Sequence, residues 1–216
     1  MDQDHRTEIA GQTAFATLRR FARQRPAGER CELCAGALSA DHQHLVEPAT
    51  RRLLCCCDAC AVLFSGQPSA RYRRVPRRVQ FLRDFLMTDA QWEDLLIPIN
   101  LAFFFRSASA GRVVAAYPSP AGATESLLAL DAWQQLEREN PILLELEPDV
   151  ESLLVNRVGQ AREFYRVPID ECYKLVGLIR TSWRGLSGGA EVWQTIARFF
   201  ADLKSRSGGA RETSNA

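Results

Sequence analysis

Six of the seven cysteines fall within CELCAGALSADHQHLVEPATRRLLCCCDAC, residues 31–60. Four of them are spaced as Cys31-x2-Cys34 and Cys57-x2-Cys60, with 22 residues between the pairs. Two thiolates at that spacing can reach one ion from a single tight turn, and two such pairs close a tetrahedral four-sulfur shell around Zn2+. A closed shell leaves no position for water, so its chemistry is structural rather than catalytic. Cys31, Cys34, Cys57 and Cys60 are the expected ligands, and structural Zn2+ the expected cofactor.

The two halves of the pattern differ. Gly36 follows the first pair, where a knuckle folds back through a positive φ that glycine tolerates. Cys57-Asp-Ala-Cys60 has no glycine and runs into a helical pattern that ends at Gly66. Its thiolates are expected at a helix N-terminus, whose partial positive charge favours them. Knuckle, hairpin and helix in that order describe a treble clef. Rubredoxin-type iron sites use two glycine knuckles, so the asymmetry favours zinc over iron. Cys55 and Cys56 leave one choice open. Cys55 could pair with Cys57 or replace it; otherwise the two end a strand, one facing in and one out. The surplus thiols also admit a redox alternative in which ligands are exchanged for disulfides.

Asp41-His42-Gln43-His44 lies between the cysteine pairs, an order that resembles the zinc-bound HNH nucleases. The resemblance implies a general base at His42. It also requires a second histidine on the final helix, and none follows His44 in this chain; Ala61 stands directly after Cys60. His42 and His44 then read as hydrogen-bonding residues at the surface or around the metal. An inactive HNH-like scaffold that binds nucleic acid is the alternative. Further along, Ser119 and Ser126 lack a nucleophile-elbow setting, and the turn-rich stretch from Tyr117 lacks the lysine of a phosphate loop. No catalytic residues are expected, and the protein is read as a non-enzyme.

The elements that must carry these residues follow from punctuation and period. Residues 1–28 form a helical head, 29–66 the four-cysteine module, 67–83 a basic linker, 84–204 the main domain and 205–216 a disordered polar tail. Thr88 and Gln91 have the capping-box spacing at the start of a short helix. Leu101–Arg106 and Arg112–Tyr117 read as a buried hairpin, and the stretch from Tyr117 to Thr124 as a turn. Residues 130–140 form a helix stopped by Pro141; Val150–Arg157 and Phe164–Val167 are strands. Asp170–Trp183 and Gly189–Lys204 are amphipathic helices. The expected fold class is α+β: a small treble-clef-like module, then a mostly antiparallel sheet with C-terminal helices.

With 46% hydrophobic residues the chain is not globally disordered, and its net charge of +1 selects no nucleic-acid or membrane partner. The arginines of the linker, Arg71 to Arg83, are expected to pair with acids such as Glu145, Glu147, Asp149 and Glu151. Trp92, Trp133, Trp183 and Trp193 sit on helical patterns and are expected in the core or at an interface. The longest apolar run, Leu95 to Phe105, is too short to span a bilayer, and the acidic N-terminus is unlike a secretion signal, so the protein is expected in the cytoplasm.

Taken together, RCELC, DHQHLVE, RRLLCCCDACAVLF, RYRRVP, MTDAQWEDLLIPINLAFFFR, RVVAAYPSPAGATES, VPIDECYKLVGLIR and WRGLSGGAEVW resemble an uncharacterised bacterial protein family. Its members are encoded beside actinobacterial-type, high-affinity uptake NiFe-hydrogenases. The resemblance covers about residues 29–204. It implies a part in assembling, regulating or taking electrons from such a hydrogenase. The expected partner is a hydrogenase subunit or maturation factor, bound in assembly through the main domain, first at the turn Pro118–Ser126 and at Trp183-Arg184-Gly185. A rubredoxin-like electron-transfer protein is the competing reading.

Overall fold

A computed structural model describes residues 28–67, 70–185 and 188–207. Most of the expected helical head and residues 208–216 of the expected tail lie outside the described residues.

The elements run β1 (Gln43–Glu47), β2 (Arg52–Cys56), α1 (Asp58–Ser65), β3 (Arg73–Arg74), β4 (Gln80–Phe81) and α2 (Asp89–Asp94). Then come β5 (Leu101–Ser107), β6 (Arg112–Ser119), β7 (Gly122–Ser126), α3 (Leu130–Glu139) and a 3-10 turn at Pro141–Glu145. β8 (Glu151–Asn156), β9 (Glu163–Pro168), α4 (Ile169–Ser182) and α5 (Gly189–Ser207) complete the described chain. Three strands form a small sheet in the order β2-β1-β3, and six form a large one in the order β4-β9-β8-β5-β6-β7. Every pairing between these named strands is antiparallel. The architecture is α+β, with a four-cysteine cluster ahead of antiparallel sheets and C-terminal helices.

The unbroken apolar run of β5 is explained by helices on both faces of the large sheet. Side chains of a strand alternate between faces. Phe103 and Phe105 of β5, with Val114 of β6 and Leu154 of β8, join Leu175 of α4 and Phe199 of α5 in one core. Ala102 and Phe104, with Val113, Leu153 and Val155, join Trp92 of α2 and Trp133 of α3 in the other. Phe104 stacks on Trp133 with ring centroids 5.1 Å apart. Burying a side chain of this size contributes about 2–3 kcal/mol, which is why the stretch from Leu101 to Phe105 in β5 has no alternating polar positions. Trp92 and Trp133 are core residues, whereas Trp183 is half-buried just beyond α4 and Trp193 is exposed. Thr88 caps α2 as its spacing suggests: the Gln91 N–H donates to Thr88 Oγ1 at 3.2 Å, and the Thr88 N–H donates to Gln91 Oε1 at 2.8 Å.

Three expectations need correction. The basic segment is not a free linker: Arg73–Arg74 pairs with β1 and Gln80–Phe81 pairs with β9, so it straps the small sheet to the large one. Val75, Val79 and Leu82, interleaved with the arginines, are buried and hold the strap down. The turn expected from Tyr117 to Thr124 is mostly strand. Pro118 pairs opposite Ala123 and Ser119 opposite Gly122, leaving Pro120 and Ala121 as the turn. Pro118 is tolerated because it lies beyond the pairing of β6 with β5, where no N–H is required. The last helix runs on to Ser207, past the expected stop at Lys204. Leu203 is buried there, and Arg206 pairs with Glu171 at 2.7 Å and Asp202 at 2.9 Å.

Asn140 closes the layer formed by α2 and α3. Its Nδ2 donates to the carbonyls of Leu86 and Leu136 at 2.9 and 3.1 Å, and its Oδ1 accepts from the Leu86 N–H at 2.8 Å. Asn140→Ala is expected to lower unfolding free energy by about 1–3 kcal/mol, since buried backbone groups lose their partners. Denaturant titration checks this, and a loss within error would mean that water replaces the amide.

Candidate metal centre

The first cysteine pair sits on a knuckle closed by two backbone hydrogen bonds. The Cys31 N–H donates to the Gly36 carbonyl, and the Ala35 N–H to the Cys31 carbonyl, both at 2.8 Å. The left-handed residue of this turn is Ala35, at φ 60°, not Gly36 as the sequence suggested. Gly36 has no positive φ, and a Cβ there would stand 3.4 Å from Cys34 Sγ, an ordinary contact, so the turn itself does not demand glycine at this position. The second pair opens α1. Cys57 occupies the N-cap in extended conformation and Cys60 the first turn, with the Ala61 N–H donating to the Cys57 carbonyl at 2.9 Å. The β1–β2 hairpin lies between the two, in treble-clef order.

The fold brings the four cysteines together. The sulfurs of Cys31, Cys34, Cys57 and Cys60 all lie within 4.8 Å of one another, and Cys34 Sγ is 3.8 Å from Cys57 Sγ. Tetrahedral Zn–S bonds of about 2.3 Å place sulfurs about 3.8 Å apart, so the cluster has the size of a four-thiolate shell. Cys31 and Cys60 are buried, while Cys34 is exposed at the rim. Burial opposes ionisation of Cys31, but hydrogen bonds from the backbones of Cys57, Cys34 and Leu33 outweigh it and bring its thiol down to about 6. Cys60 is pushed upward, first by burial and then by the neighbouring sulfurs. Four sulfurs this close cannot all ionise without a cation between them.

Cys55 and Cys56 separate by strand alternation, and Cys172 lies on a helix. Cys56 is fully buried, its Sγ 3.5 Å from the Gln43 carbonyl, and burial raises its thiol to about 11. Cys172 is buried within α4. Cys55 points to the opposite face of β2 from Cys56 and does not join the four-sulfur cluster; it lies with His42 and His44. The histidines are therefore not arranged around the four-cysteine site. Sequence reasoning missed this trio, although the i, i+2 spacing of His42 and His44 signals a shared strand face.

Arg71, Arg73 and Arg77 pair with Glu47, Asp149 and Asp41. Arg74 donates to Gln43 at 3.1 Å and Arg78 to Gln80 at 2.6 Å. Of the four acids expected as partners, Asp149 is engaged by this segment; Glu145 and Glu151 face Arg166. Among the described residues, no helix is long and apolar enough to cross a membrane.

Fold and site together define an α+β protein with a preassembled four-cysteine group able to hold a metal ion. The chain belongs to DUF5947, a family of unknown function, whose sequence profile matches residues 30–207. Neither a curated protein nor a solved structure gives a significant match.

Proposed function

We propose that this protein is a non-enzymatic accessory factor of a NiFe-hydrogenase system. It acts in assembly or maturation by binding a hydrogenase subunit or another maturation factor, and Zn2+ in the four-cysteine site fixes the module that presents the binding face. The observation that carries the binding role is on α1. Val62, Leu63 and Phe64 are 65%, 74% and 40% exposed, on the helix whose first turn holds Cys57 and Cys60. Large apolar side chains left in water at neighbouring positions support a surface that a protein partner would cover. The metal sets where that helix stands, so a structural ion and a docking helix serve one role. The choice of a hydrogenase protein as partner rests on the family resemblance of residues 29–204. Zinc is favoured over iron by the knuckle-and-helix asymmetry. The engagement of five linker arginines by the protein's own side chains weighs against phosphate binding.

Tagged protein recovered from the native host is expected to carry zinc and a hydrogenase subunit or maturation factor. A Val62→Asp, Leu63→Asp double variant should lower that recovery at least tenfold while leaving the melting temperature unchanged. Deleting the gene should reduce assembled, active hydrogenase without removing its transcript. Recovery of promoter DNA with a fall in transcript would instead support the nucleic-acid reading. Iron in the site, with hydrogenase assembled but unable to pass electrons onward, would support electron transfer.

A further inference from the structure

His42, His44 and Cys55 form a cluster apart from the four-cysteine group. One ring nitrogen of each histidine and Cys55 Sγ lie within 4.8 Å of one another. The hairpin register builds it: His44 pairs directly opposite Cys55, and His42 is two residues before His44. The two rings meet edge to face, 4.8 Å between centroids.

Both histidines are held in the same tautomer. His42 Nδ1 is 2.9 Å from the Ser39 carbonyl, which can only accept, so Nδ1 carries the proton. His44 Nδ1 is 2.8 Å from Asp170 Oδ2, a carboxylate that likewise accepts. In its neutral form each ring then keeps its lone pair on Nε2, as a metal ligand requires. The His42 side chain is only 8% exposed, and its Nε2 is buried with no hydrogen-bond partner. Leaving such an acceptor unpaired is costly, and an ion would satisfy it. Asp170 behind His44 is the carboxylate–histidine arrangement that orients a ligand and raises its basicity.

The surrounding charge suits a cation. Glu29 approaches His42 Nδ1 at 3.5 Å, and Glu32 accepts from the Cys55 N–H at 2.9 Å. Of the cations lining the adjoining cleft, Arg77 is paired with Asp41 and Arg206 with Glu171, and Lys174 is 3.7 Å from Glu171. The cleft holds about 790 Å3 and reaches from the hairpin to α4.

We propose that His42, His44 and Cys55 form a second metal site for one late first-row divalent ion of the Zn2+ or Co2+ class. Two imidazoles and a thiolate suit such ions better than Ca2+ or Mg2+, which prefer oxygen. Cys55 loses its proton to solvent on binding. Three protein ligands leave a coordination position open to the cleft, so this ion exchanges and accepts a water or an outside donor, unlike one in a closed four-sulfur shell. Through Asp170 the ion also ties the small sheet to α4. The proposal does not depend on the hydrogenase reading.

The test adds Co2+ to full-length protein carrying one equivalent of Zn2+, which the closed four-sulfur site holds, and follows absorbance together with released zinc. One further equivalent of cobalt is expected, with tetrahedral bands and a sulfur-to-cobalt charge-transfer band, and without zinc release. His42→Gln and His44→Gln should weaken uptake at least 100-fold. Cys55→Ser should remove the charge-transfer band. Asp170→Asn, a positioning change, should weaken binding about 10–100-fold and keep the band. Melting temperatures measured without cobalt identify which variants remain folded. Cobalt uptake matched by zinc release, or uptake and spectra unchanged in the folded variants, would overturn the site.

Discussion

Cys60→Ser is expected to release the metal of the four-cysteine site and to unfold the module around it. The core of this module contains Cys31, Leu45, Cys56, Cys60 and Ala61 as its fully buried members, so two of the five are themselves ligands. So small a core cannot offset the chain entropy of some forty residues without help. Structural zinc supplies about 10–16 kcal/mol of apparent binding free energy in small domains, more than such a core contributes. The loss should be local. Amides of the knuckle, β1–β2 and α1 should lose protection from hydrogen exchange, while those beside Phe104, Trp92 and Trp133 should keep it, since that core shares no residue with the module. A chelator strong enough to strip the wild type should give the same pattern. Cys55→Ser should retain this metal, because Cys55 stands outside the four-sulfur cluster. Full zinc content and unchanged exchange in Cys60→Ser would show that Cys60 does not hold the metal.

Glu151→Gln is expected to produce the largest loss within the main domain. Arg166 meets Glu151 as a two-pronged pair between β9 and β8: Nε donates to Oε1 at 2.8 Å and Nη2 to Oε2. Both residues are buried, at 9% and 3% exposure. The spare groups are also engaged, since Glu151 Oε2 accepts from the Glu147 N–H at 2.9 Å and Arg166 Nη2 donates to the Glu145 carbonyl at 3.0 Å. Neutralising the acid leaves a buried guanidinium whose remaining carboxylate partner is the exposed Glu145, 3.6 Å away. Breaking a buried pair this way costs about 3–5 kcal/mol, visible as a lower denaturation midpoint with unchanged slope. Replacing both residues, Glu151→Leu with Arg166→Met, should recover most of that, because no charge is then stranded. A single-variant loss below about 1 kcal/mol would place the pair among solvent-screened ion pairs.

Features whose partners lie close along the chain were legible in the order of residues alone. The two C-x-x-C pairs, the capping box at Thr88 and Gln91, the β5–β6 hairpin and the two C-terminal helices depend on spacing, period and turn chemistry, all of which are local. What lay beyond reach needed partners distant in sequence. The apolar run of β5 showed a buried strand, but not that α2 and α3 cover one face while α4 and α5 cover the other. The arginines of the 71–83 segment hid its strands, because the intervening valines find their core only when β1 and β9 stand on either side. The choice between Cys55 and Cys57 was likewise undecidable from order alone. Strand alternation and the register of β1 with β2 send Cys55 toward His42 and His44, while the N-terminus of α1 turns Cys57 toward Cys34. Asp170, which orients His44 from 126 residues away, left no trace in the local pattern. Spacing fixes which residues can meet through one turn, but only packing of the sheets and helices decides which meet across the fold.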